Sequence, residues 1–168
     1  MTIKETVELT LDGVLSLLQE ELDRAAQALQ MAEFDRALDS YVGALGLALQ
    51  LGPAATERVL HAILGTGREL ARQGEASVIS AMGPALVDLV EQVRGADALP
   101  ATPVMEAWAT VTADLGALVG QIGLALTMPP RHRSGMLDSA STRAALLDDV
   151  TGSLFSLTAW LLELQSVS

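Results

Sequence analysis

Apolar residues recur at helical spacing along almost the whole chain, and the clearest instance is residues 33–53, EFDRALDSYVGALGLALQLGP. There Phe34, Leu38, Tyr41, Leu45 and Leu49 fall on one stripe of a helix, and Ala37, Ala44, Ala48 and Leu51 fall on another. A helix with two apolar stripes needs two neighbours. Gly52 as an αL cap and Pro53 as a stop close it. Upstream, Leu15, Leu18, Leu22, Ala25 and Leu29 alternate with Gln19, Glu20, Asp23, Gln27 and Gln30, which predicts an amphipathic helix. So little chain separates the two helices, around Met31 to Glu33, that they form either an antiparallel hairpin or one bent helix. Residues 3–11 alternate like a strand, yet no second strand exists to pair with them. They read as a helical lead-in or as a flexible arm over residues 1–10, with pairing to another subunit as the alternative.

Downstream, a third helix over about 54–72 turns Leu60, Ile63, Leu64 and Leu70 inward and ends at Gly74. A fourth carries Ile79, Met82, Leu86, Leu89 and Val93, with Gly83-Pro84 in its middle, where proline removes a backbone hydrogen bond and predicts a kink or a break. After the connection GADALPATP, Thr102 caps and Pro103 opens a fifth helix that runs to about Met128. Residues 129–141, PPRHRSGMLDSAS, are expected to be the longest loop. A sixth helix over about 141–165 then carries Leu147, Val150, Leu154, Leu157, Leu161 and Leu164 as a continuous series. The pattern predicts one all-α domain over residues 1–168, with about six helices in three antiparallel hairpins, arranged either as a compact bundle or as a short stack.

Composition narrows the function classes. The 168 residues carry a net charge of −11, with one lysine, Lys4, against nine arginines. Nucleic acids and anionic membranes need concentrated positive charge, so neither is an expected partner, whereas a basic protein is compatible. Half of the residues are apolar, but no stretch reaches the ~18 uncharged apolar residues of a spanning helix. The nearest, Leu115 to Met128, is bounded by Asp114 and by Pro129-Pro130. The N-terminus lacks the basic and apolar regions of a signal peptide, so the expected location is cytoplasmic. Without cysteine there is no disulfide, thiol nucleophile or cysteine-based zinc site.

The fifth helix holds the most specific pattern. Ala109, Ala113, Gly116, Gly120, Gly123 and Thr127 step by four and three, so small residues line one face, beside a bulky line of Trp108, Val111, Leu115, Leu118 and Ile122. Each glycine costs a helix about 1 kcal/mol against alanine, so something must come close to that face. Three occupants remain open: another helix of the same chain, a second copy in a homodimer, or a small apolar ligand beside Trp108. Arg131, His132 and Arg133 form a local excess of positive charge. They either contact an anion or acidic partner, or offset the dipole at the end of the fifth helix.

Signals for catalysis or metal binding are lacking. His61 shares a helix face with Glu57, but one histidine and one carboxylate do not make a metal site, and no pair of Glu-x-x-His motifs is present. The acidic groups Glu20, Glu21, Asp23 and Glu33, Asp35, Asp39 read as solvated helix faces. No G-x-S-x-G elbow, P-loop or dinucleotide fingerprint occurs. No cofactor or catalytic residue is therefore assigned, and the expectation leans towards a non-enzymatic protein.

In the stretch AQALQMAEFDRALDSYVGALGL, Ala25, Phe34, Ala37, Tyr41 and Ala44 resemble the tetratricopeptide repeat, with its small residue in the first helix and its aromatic-alanine series in the second. The resemblance covers about one repeat, residues 18–51. Pro53 falls later than the family's terminal proline, and the following segment places Ile79 and Gly83 where alanine and an aromatic belong. What the resemblance implies is a short stack of helical hairpins that binds peptides or proteins on a concave face. Together these readings point to a cytoplasmic interaction or adaptor protein, homodimeric if the small face of the fifth helix is a seam. The alternative is a helical bundle that binds a small apolar ligand, with weak enzymatic activity.

Overall fold

The computed structural model describes residues 3–166, with side chains from Asp12 onward. It is all-helical: α1 Ile3–Gln30, α2 Phe34–Leu51, α3 Pro53–Arg72, α4 Ala76–Gly95, α5 Pro103–Thr127, α6 Pro130–Thr151 and α7 Leu157–Ser166. Among the described residues there is no strand, and the helices number seven where six were expected. The backbone of residues 3–11 is the start of α1, while the first two residues of the expected arm lie outside the described ones.

Short punctuation sets the early helices. Between α1 and α2 the chain reverses at Ala32, which takes φ 57°, and the Glu33 N–H donates to the Ala28 carbonyl at 2.9 Å. The pair is thus a hairpin and not one bent helix. Gly52 has φ 143° and ψ −175°, a conformation open essentially to glycine rather than the αL cap expected. Pro53 does not merely stop α2; it is the first residue of α3. The buried Thr56 hydroxyl donates to the carbonyls of Ala48, at 3.1 Å, and Gly52, at 2.9 Å, tying the end of α2 to the start of α3. As its two stripes require, α2 packs against α1, α3 and α4.

The most extensive pairing is between α4 and α5. The partners run in opposite order: Arg94 bonds Glu106, Leu86 lies against Gly116, Gly83 against Gly120, and Ile79-Ser80 against Gly123. The two helices are therefore antiparallel. Helix α4 stays continuous through Pro84, whose ring is exposed. Helices α3 and α4, also consecutive, touch less than α4 and α5 do. By length and composition alone, α4 and α5 could each cross a membrane; here they form the central layer. On α5, Leu115, Leu118 and Ile122 are fully buried, each stabilising the fold by roughly 2 kcal/mol.

The C-terminal third departs from expectation. Residues 130–151 are helix α6, not a loop, because Pro130 occupies the first helical turn, where proline costs nothing. Leu137, Ala140, Ala144 and Leu147 then face the core. The expected sixth helix breaks at Gly152, in the left-handed conformation at φ 64°, and Ser153 and Ser156 also have positive φ before α7 begins.

The α4–α5 seam yields a contrast between neighbouring glycines. A methyl group on Gly123 would lie 2.5 Å from the Ser80 Cα, and one on Gly83 would lie 2.5 Å from the Gly116 carbonyl oxygen. One on Gly120 would meet the Gly83 Cα at an ordinary 3.6 Å. Urea unfolding should show Gly123→Ala and Gly83→Ala destabilised by about 2–3 kcal/mol through overpacking. Gly120→Ala should be neutral or gain up to about 1 kcal/mol of helix propensity. Equal effects at the three positions would contradict this packing.

Candidate interaction surface

The surface begins from the corner between α6 and α7. Asp148, one turn before the end of α6, accepts the Leu157 N–H at 3.0 Å and the Thr158 N–H at 2.9 Å through its two carboxylate oxygens. This satisfies the free N–H groups that open α7. From α3, the Arg68 guanidinium donates to the carbonyls of Phe155 and Ser156, both at 2.8 Å, and lies 5.8 Å from the Trp160 ring centre. Phe155 is buried, 4.8 Å from the His61 ring and edge-on to Trp108 at 6.4 Å. The corner is thereby clamped to α3 and α5 by charge-assisted hydrogen bonds and ring contacts.

On this base an apolar depression of about 270 Å³ opens between the first turns of α5 and the last turn of α6, lined by Val104, Ala107, Trp108, Val111, Val150, Thr151 and Leu154. Val104 is 54% exposed and Val150 72%. Leu146, one turn before Val150, is 64% exposed. Leu146 and Val150 lie off the stripe by which α6 packs, and among the described residues they and Val104 stay exposed. None of the lining residues is charged, while Glu106 and Asp149, which adjoin it in sequence, are exposed acids.

The residues singled out from sequence fall into three places. Trp108 lines the depression, half-buried. Ala109, Gly116 and Gly123 are buried, Ala113 and Gly120 are half-buried, and the three glycines face α4 within the same chain. The intramolecular occupant, one of the three left open, fills that face. Arg131 and His132 are exposed in the first turn of α6, and Arg133 donates to the carbonyls of Leu126 and Met128, each at 3.2 Å, capping the end of α5. For Arg133 this is a helix-end contact. Glu57 and His61 approach to 3.7 Å, and among the described residues no group of three potential metal ligands gathers.

Nothing in the sequence marks Val104, Leu146, Val150 and Leu154 as surface contact residues. Val150 and Leu154 look like members of one apolar stripe until Gly152 divides it. No family model, curated protein or solved structure matches this chain.

Asp148 gives the corner a pH signature. Burial pushes its carboxyl pKa up, but hydrogen bonds from Thr158 and Leu157 and the Arg68 charge outweigh this and hold it below the usual aspartate value. A depressed pKa stabilises the fold above the unfolded-state value near 3.8, and this contribution is lost as pH falls through the lower folded value. At pH 7, Asp148→Ala should cost about 1 kcal/mol, as loss of a helix N-terminal acceptor does. In chemical unfolding at a series of pH values, the gap to the parent chain should narrow below about pH 4. A gap that does not change with pH would contradict this role for the carboxylate.

Proposed function

We propose that this chain is a protein-interaction module that docks an amphipathic helix of a partner on the α5–α6 face. The observation that carries this reading is the contiguous set of uncovered apolar side chains around Trp108, seated on a corner that buried contacts hold in place. Single exposed apolar residues are ordinary, whereas a contiguous patch containing an aromatic anchor marks a contact site. The α1–α2 hairpin, with its tetratricopeptide-like residues Ala25, Ala37, Tyr41 and Ala44 buried, fits the same class of work.

Charge selects the occupant. The exposed Asp149 beside Val150 and the net charge of −11 would set like charges against each other if a second copy bound here, although Glu106 is already paired with Arg94. A partner helix with an apolar stripe flanked by lysine or arginine meets the same rim favourably.

Calorimetric titration with two synthetic amphipathic helices, identical in their leucine stripe but flanked by lysine or by glutamate, tests this. The lysine peptide should bind at least about tenfold more tightly, and Val150→Asp should weaken it by about tenfold or more, roughly 1.4 kcal/mol. Binding of neither peptide, or equal binding of both, would overturn the reading. A stable dimer in light scattering that Val150→Asp dissolves would assign the face to a second copy instead.

A further inference from the structure

Glycine weakens a helix relative to alanine, and Gly65, in the interior of α3, has neither a packing nor a backbone reason to be one. A methyl group built there meets nothing within 4 Å, and its φ is not positive. The contrast is Gly67, two residues on, where the same methyl would touch the Trp160 ring at 3.5 Å. Gly65 is exposed and lines an open depression of about 380 Å³ between α3 and the α1–α2 turn. Its volume is at the small end of the range for ligand pockets, too small for a protein segment. It shares no lining residue with the α5–α6 face.

The lining has a definite chemistry. Leu29, Phe34 and Leu70 make an apolar wall that continues inward to Val78 and Met82. The Tyr41 hydroxyl accepts a hydrogen bond from the Thr66 hydroxyl at 2.9 Å, which fixes the ring at the edge of that wall. At the rim stands the Glu69 carboxylate, steered by Arg72 and by the Gln73 amide, both at 3.3 Å. Arg72 is itself shared with Glu163 at 3.2 Å and does not line the cavity. His61 also lines the cavity, with Glu57 at 3.7 Å; the apolar wall with Phe34 and Tyr41, the Glu69 carboxylate and a chain of net charge −11 favour a cation with a hydrophobic body over an anion.

We infer that this cavity is a binding site for a small hydrophobic amine, with its flat or aliphatic body against Phe34 and Tyr41 and its ammonium group at Glu69. Gly65 is the residue that leaves room for it. The site is separate from the proposed docking face, so the two stand or fall independently.

Tryptamine and indole-3-acetate serve as matched probes, alike in body and opposite in charge, titrated against the ¹⁵N-labelled chain and followed by amide chemical shifts. Tryptamine should give saturable shifts centred on Gly65, Thr66 and Glu69, and indole-3-acetate should bind at least about tenfold more weakly. Gly65→Leu, which fills the cavity while improving helix propensity, should keep the helical circular dichroism and abolish the shifts. Glu69→Gln should erase the preference for amine over acid, which tests the site even if Gly65→Leu fails to fold. Absence of saturable tryptamine shifts at millimolar concentration, shifts centred elsewhere, or equal binding of both probes would overturn the assignment.

Discussion

The close approach of α4 and α5 is the constraint on which the rest of the structure depends. Around Gly83, Gly116 and Gly123 the two backbones meet with no room for even a methyl group between them. Such a contact trades helix propensity for dispersion over many atom pairs, and it tolerates no added volume. Because α5 also buries Val111, Leu115, Leu118 and Ile122, the flanking helices are placed by what remains uncovered: α6 lies along α5, α2 along α4, and α3 against both members of the pair.

This arrangement decides where function can reside. The small face of α5 is used up inside the fold, so the surface left to it is the outer side of its first turns, around Val104 and Trp108. That surface is completed by the end of α6, which the Arg68, Asp148 and Phe155 contacts hold in position. A partner-binding face on a pre-ordered base loses less entropy on association than one on a mobile loop. The depression beside Gly65 sits on the other contact of α3, with the α1–α2 hairpin, so α3 adjoins both the corner under the candidate surface and this depression.

The first five helices were legible because each carries periodic apolar residues and a marked end, such as Thr102-Pro103 with its capping bond to the Met105 N–H at 3.2 Å. The glycine line on α5 was equally visible. Its occupant was not, since spacing defines a face and says nothing about which element meets it. The first half of α6 was missed for a physical reason: PPRHRSG has the composition of a loop, yet Pro130 starts a helix and Gly135 sits on its solvent side with open space around it. The break at Gly152 was hidden because Leu157, Leu161 and Leu164 of α7 keep phase with Leu147 of α6. The same coincidence made Val150 and Leu154 look buried, and so concealed the candidate surface.

The chain's lack of cysteine allows a direct test of whether α4 and α5 meet within one molecule. A Cβ on Gly120 lies 3.7 Å from the Pro84 Cδ, so the two positions adjoin across the α4–α5 seam. The double variant Pro84→Cys/Gly120→Cys, oxidised at low concentration and run on a denaturing gel without reductant, should migrate as a monomer with both thiols consumed. Disulfide-linked dimers would show that the glycine face of α5 meets something other than its own α4.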